Sequence, residues 1–188
     1  HQCRGFAWCD PLHPFAQSRM PSPDGSIVFR SAPADMLRCL SNHVVQGRVI
    51  MPGAGYLEMA RAAAAAALRG IFFVVPLAVE APSLLVDCAL TDGRFEVRSK
   101  TDGGIDGATV HCAGTTSGVS AWLSNDHALE RASSCAADVG ALYDGFHEAG
   151  LQYGPGYRTL YRAWCDIIAY RNALARLRTC STLEGTHL

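Results

Sequence analysis

The spacing of apolar and polar positions changes near residue 70. Upstream, Ser26–Ser31 follows a Pro-Asp-Gly turn and predicts a short strand, and Ala34–Leu40 predicts a short helical turn. Ala54–Arg69 predicts the longest helix: Pro52 suits its start, Glu58 lies near its positive N-terminal end, and Gly70 supplies the stop. Six consecutive alanines, Ala62–Ala67, favour helix and keep it thin, which suits a sheet that wraps closely around it. Downstream, Phe73–Glu80, Ser83–Leu90, Arg94–Ser99 and Ala108–Thr116 are strand-like. Ala81-Pro82, Asp92-Gly93 and Asp102-Gly103-Gly104 separate them, and such short links imply antiparallel neighbours. A helix followed by an antiparallel meander is an α+β arrangement, not a βαβ repeat.

The flanks read differently. His1–Gly25, with Pro11, Pro14, Pro21 and Pro23, reads as an N-terminal linker containing one short strand near Phe15. Ser117–Ala137 is polar and Ser-rich and reads as a linker. Asp138 is suited to cap a helix over Val139–Ala149 that Gly150 stops. Two strand-like runs follow, Thr159–Tyr170 and Asn172–Arg178, and Leu183–Leu188 reads as a frayed end. The expected division is a first unit over 1–125 with its N-terminal linker, a linker over 126–138, and the start of a second, similar unit over 139–188.

Composition narrows the functional classes. A chain of 188 residues with 49% hydrophobic and 18% charged residues is globular. Its net charge of −1 argues against a nucleic-acid or membrane partner. The longest largely apolar runs, Ala62–Leu68 and Ile71–Ala81, are too short to span a bilayer. The first residue is His, with no signal-peptide pattern after it, so the chain is read as a fragment or processed piece, and its cysteine usage is what leads to the expectation of a cytoplasmic protein. The eight cysteines form no CxxC pair and are expected as reduced core thiols. Cys9 with His13, and His111 with Cys112, lack a second ligand pair, so no metal is expected. The absence of GxGxxG and Walker patterns removes nucleotide cofactors, and the absence of a GxSxG elbow removes a serine-hydrolase reading. His13, His127 and His147 have no partner spacing and are expected at the surface.

One stretch carries chemistry. His43 stands four residues before Gly47 and nine before Pro52, and Pro52-Gly53-Ala54-Gly55 opens the Ala-rich helix. Val44, Val45, Val49, Ile50 and Met51 surround His43 with apolar residues, and desolvation disfavours an imidazolium. Gly47 permits unusual backbone angles, and Gly53 and Gly55 leave amide groups at a helix N-terminus, near where a thioester oxygen could sit. A base beside an oxyanion donor is what α-proton abstraction next to a carbonyl requires.

These residues resemble the HxxxGxxxxP motif, continuing as PGxGYLE, of dehydratase domains in modular polyketide synthases and animal-type fatty acid synthases. Leu12-His13-Pro14-Phe15 resembles the family's opening His-Pro-Leu-type segment, and His111-Cys112-Ala113-Gly114 its His-x-x-Gly strand. Gly150 through Tyr157 resembles its GxxYGPxF segment, with Tyr157 in place of Phe. The resemblance implies a double hotdog, each half a long helix wrapped by an antiparallel sheet, with the second hotdog incomplete here. It implies that His43 removes the α-proton of a β-hydroxyacyl thioester while an Asp protonates the leaving hydroxyl. Gly47, Pro52, Gly53, Tyr153 and Gly154 would contribute to substrate binding. For Tyr153 and Tyr157, plain aromatic packing at a strand start is an equal alternative. No cofactor is implied. The implied partners are an acyl carrier protein, whose phosphopantetheine bears the substrate, neighbouring synthase domains and a second copy in a homodimer.

The chain departs from the family in one respect. The family's acid lies in a DxxxQ or DxxxH motif, yet no Asp here has Gln or His four residues later. Asp166 has Tyr170 at that position, and His187 is at most the approach to the missing segment. The expectation is therefore a chain truncated before its acid and inactive alone. Rival readings are a product-template cyclase or double-bond isomerase of the same fold, and a non-catalytic structural hotdog.

Overall fold

The structure is a computed structural model, and it describes residues 13–22, 24–81, 83–101, 107–118, 134–166 and 173–178. In chain order, the first elements are β1 (Ser18–Met20), β2 (Ile27–Ser31), α1 (Pro33–Leu40), β3 (His43–Val45), β4 (Arg48–Val49) and α2 (Gly53–Ala64). Next come β5 (Ala67–Phe73), β6 (Leu84–Thr91), β7 (Arg94–Thr101) and β8 (Thr109–Ser117). The last are β9 (Ser134–Ala137), α3 (Val139–Glu148), β10 (Leu151–Tyr153), β11 (Leu160–Asp166) and β12 (Ala173–Leu177). The chain divides into two compact units: His1–Leu40 with Val49–Ser120, and Ser41–Arg48 with Ala121–Leu188.

The first unit is a six-stranded antiparallel sheet in the order β1-β2-β6-β7-β8-β5. The β6–β7 hairpin turns on Asp92 (φ 48°) and Gly93 (φ 72°), the left-handed pair that a two-residue hairpin demands. Along α2, Tyr56, Met59 and Ala60 are buried at the spacing of one helical face. They join Met36 and Leu40 of α1 with Val86, Cys88, Phe95, Val97 and Cys112 of the sheet in one apolar core. The arrangement of a helix on an antiparallel sheet is the expected α+β hotdog pattern.

Several boundaries differ from expectation. α2 ends at Ala64, not Arg69: Ala65 turns left-handed at φ 49°, and its N–H donates to the Arg61 carbonyl. Leu68 and Ile71 then pack against the core from a strand paired with β8, so sheet pairing overrides the helix propensity of the alanine run. Gly70 is no helix stop; it lies within β5 at φ 55°, where the register against β8 shifts. The expected strand Phe73–Glu80 accordingly moves forward to Ala67–Phe73. The short strand near Phe15 is Ser18–Met20, and Phe15 itself is buried in the core. Glu58 is not in the first turn of α2, where no acidic residue lies.

In the second unit, Asp138 caps α3 by accepting from the Gly140 and Ala141 amides, and Gly150 follows the helix at φ 87°. The end of the expected linker Ser117–Ala137 is β9, which pairs with β11 as β12 does on its other side. The linker's centre with His127, the segment from 179 with Cys180 and His187, and Cys3 and Cys9 lie outside the described residues.

The five described cysteines are free: Cys88 and Cys112 are fully buried and Cys39 packs half-buried against the core, as expected, whereas Cys135 and Cys165 are exposed. Burial pushes the Cys88 thiol up to about 12 and the Cys112 thiol up to about 11. A thiol reagent at neutral pH is expected to modify Cys135 and Cys165 in the folded chain and to reach Cys88 and Cys112 only after unfolding. Peptide mass spectrometry reads the pattern, and modification of Cys88 in the folded chain would contradict this core.

Candidate active site

His43 opens β3, whose β-branched Val44 and Val45 favour an extended strand. β3 pairs antiparallel with β10 in the register His43↔Tyr153, Val44↔Gln152 and Val45↔Leu151. Further hydrogen bonds extend this pairing at both ends. The Gly154 N–H donates to the Asn42 carbonyl at 2.8 Å, and the Gln46 N–H to the Gly150 carbonyl at 2.9 Å. The Gly47 N–H donates to Oε1 of Gln152, 105 residues away, at 3.0 Å.

Glycines make this approach possible. Gln46 and Gly47 form a tight turn after β3 with φ of 50° and 78°, which explains why a glycine follows His43 by four residues. At Gly154 a Cβ would overlap the Asn42 side chain, lying 3.0 Å from Asn42 Cβ and closer still to its Oδ1. The backbone that carries Tyr153 can therefore lie against the residue preceding His43 only because position 154 has no side chain.

The imidazole of His43 meets two phenol rings. The ring of Tyr157 is 5.4 Å away and that of Tyr153 5.6 Å, tilted by 51° and 52°. The two phenol rings are parallel to within 4°, with centroids 6.4 Å apart. Tyr143 and Phe146 of α3 meet Tyr153 edge-on, which supports it from behind. Arg158 donates from Nε to the Tyr153 carbonyl at 2.9 Å and rests over the Tyr143 ring. Both tyrosines pack, and what they pack against is the candidate base.

Pro52 and Gly53 belong to the first unit. Pro52 is the N-cap of α2 and offers no side-chain cap, and its carbonyl accepts from Gly55 and Tyr56. Helix geometry leaves the Gly53 and Ala54 amides without an intrahelical acceptor. A Cβ on Gly53 would come within 3.3 Å of the Phe73 ring.

The remaining motif residues are structural. His111 is buried; its Nδ1 donates to the Val75 carbonyl at 2.8 Å, so Nε2 accepts from Ser99 Oγ at 2.7 Å. Its ring stacks on Tyr56, whose hydroxyl accepts from the Leu77 N–H. Burial pushes that hydroxyl up to about 12, opposed in part by the Leu77 hydrogen bond. Gly114 makes room for the Phe95 ring, which a Cβ would meet at 2.7 Å. His13 is not the partnerless surface residue expected. Its Nδ1 accepts from the Phe15 N–H, leaving Nε2 to donate to Glu58 at 3.2 Å, which ties the chain before β1 to α2. Among the described residues, no group of three or more His, Cys, Asp or Glu side chains could hold a metal ion, and no helix is long and apolar enough to cross a membrane.

Sequence reasoning missed Asn42 and Gln152. Neither residue type signals a site, and their role exists only once β3 and β10 are paired.

The family described as the polyketide synthase dehydratase domain matches residues 13–111. Polyketide synthase ThaG of Burkholderia thailandensis is 33% identical over 74% of this chain. This chain belongs to the polyketide synthase dehydratase family. It spans only 3% of the length of ThaG. A dehydratase domain of a trans-AT polyketide synthase from Brevibacillus brevis is 25% identical with a TM-score of 0.76, covering 93% of this chain and 67% of that one. The CurK dehydratase has been solved as two inactive mutants, one with His replaced by Phe and one with Asp replaced by Asn. They are 20% and 22% identical to this dehydratase chain, with TM-scores of 0.68 and 0.70; each match covers 82% of this chain and 60% of that one. These likenesses support the hotdog fold.

Proposed function

We propose that the parent synthase uses this domain to remove water from a β-hydroxyacyl thioester, with His43 as the base. The observation that carries this reading is the pairing of His43 opposite Tyr153, with its imidazole against both the Tyr153 and Tyr157 rings, in a chain of the dehydratase family. The imidazole takes the α-proton, the C–H electron pair becomes the Cα=Cβ bond, and the β-hydroxyl leaves as water with a proton from an acid. By resemblance that acid is an Asp in a DxxxQ or DxxxH motif, which this chain does not contain. Loss of activity in CurK on replacing one His or one Asp is in keeping with such a pair. Tyr153, Gly154 and Gly47 fix the base. By resemblance Pro52 and Gly53 contribute to substrate binding; Pro52 has no N–H, so the donors a thioester oxygen would use there are the Gly53 and Ala54 amides. The reaction needs no cofactor, and the substrate arrives on the phosphopantetheine of an acyl carrier protein.

Product identity is the test. The parent synthase given a β-hydroxyacyl carrier protein is expected to yield the α,β-unsaturated chain, seen by mass spectrometry as loss of one water. A shifted alkene or a cyclised product would instead assign the isomerase or cyclase chemistry. An unchanged substrate would leave a structural hotdog.

A further inference from the structure

We propose that one face of the β11–β12 hairpin docks an acidic protein surface. In this hairpin Leu160 pairs with Leu177 and Arg162 with Arg176, so Tyr161 has no opposite residue and forms a β-bulge. A bulge re-aims the side chain it carries. Here it brings the Tyr161 ring within 5.3 Å of the Arg162 guanidinium and 5.2 Å of the Arg178 guanidinium. Arg176 lies directly across from Arg162 and two residues before Arg178, so strand alternation puts it on the same face. All four residues are exposed.

This assembly works against the hairpin's own stability. Like charges directly opposite one another weaken a sheet. Residues 158–178 contain five arginines and a single acid, Asp166. Among the described residues, no carboxylate pairs with Arg162, Arg176 or Arg178. Cation–π contact with Tyr161 offsets only part of the repulsion. An anionic partner would offset the rest, and guanidinium forks suit carboxylates.

The size and setting of the patch favour a protein over a nucleic acid. The patch is one hairpin face in a chain of net charge −1 and pI about 6.7, whereas nucleic-acid surfaces run as long basic stripes. An exposed tyrosine among arginines is the composition of a protein-interface centre. Relatives of this chain are domains of multidomain synthases, which supply protein neighbours in fixed proximity. The inference does not involve His43, so its outcome leaves the proposed activity untouched.

The test is a titration of the isotope-labelled chain, followed by NMR, with a Glu-rich helical peptide as probe. The amides of Tyr161, Arg162, Arg176 and Arg178 are expected to shift, and the shifts are expected to fade as salt is raised. Arg176→Glu with Arg178→Glu is expected to weaken binding about tenfold or more, whereas Arg176→Lys with Arg178→Lys is expected to retain it. Arg176→Gln with Arg178→Gln serves if charge reversal unfolds the hairpin. Three outcomes would overturn the proposal: no shifts at the hairpin, equal binding by the charge-reversed chain, or tighter binding at the same residues by a short DNA duplex or phosphatidylglycerol vesicles.

Discussion

Replacing His43 with Ala in the parent synthase is expected to lower formation of the unsaturated product by about 10²- to 10⁴-fold, the usual contribution of a positioned general base. The fold is expected to survive. His43 is only half-buried, and its strand is held by main-chain pairing with β10 and by the amides of Gln46, Gly47 and Gly154, none of which uses the imidazole. Loss of ring contacts with Tyr153 and Tyr157 should cost about 1 kcal/mol. His43→Gln sharpens the comparison, because it keeps a polar side chain of similar reach without a base. Mass spectrometry of the carrier-bound chain gives the rate, and circular dichroism melting gives the stability. A His43→Ala synthase that dehydrates at the wild-type rate would remove His43 from the mechanism, whatever its packing.

The parts of this arrangement that were legible in the sequence are those governed by local chemistry. Asp92-Gly93 and Gly47 mark turns because their backbone angles are ones that few residue types accept, and Asp138 marks a helix start because its carboxylate caps amides two and three residues on. The α2 start was equally local, since Pro52 fixes its own φ. The end of that helix was not. Nothing near Ala65 forbids helix; the strand begins there because Leu68 and Ile71 find the core and β8 supplies hydrogen bonds from more than forty residues away. The same limit hid the role of Glu58. A carboxylate on an exposed helix face carries no mark of His13, 45 residues upstream. At the candidate site, resemblance named His43, Tyr153 and Gly154, but their mutual pairing is a long-range fact. It explains why the HxxxG and YGP segments occur together: they are two edges of one clamp.

That clamp makes Gly154 the position where the smallest change should do the most harm. Gly154→Ala adds one methyl group, which would collide with the Asn42 side chain unless β3 moves away. Asn42 precedes His43 directly and its carbonyl accepts from the Gly154 amide, so a displacement there passes into the imidazole. A shift of roughly 1 Å at a reacting group costs about 10²-fold in rate, while overpacking of this kind destabilises by about 1–3 kcal/mol. Gly154→Ala is therefore expected to lose activity far beyond what its melting temperature accounts for. Asn42→Gly in the same chain should separate the two effects. Removing the side chain that the new methyl group strikes is expected to restore much of the rate, although each single substitution alone is harmful, a coupling that a double-mutant cycle measures. If the double variant loses the sum of the two single losses, Gly154 and Asn42 act independently, and His43 is positioned by something other than this contact.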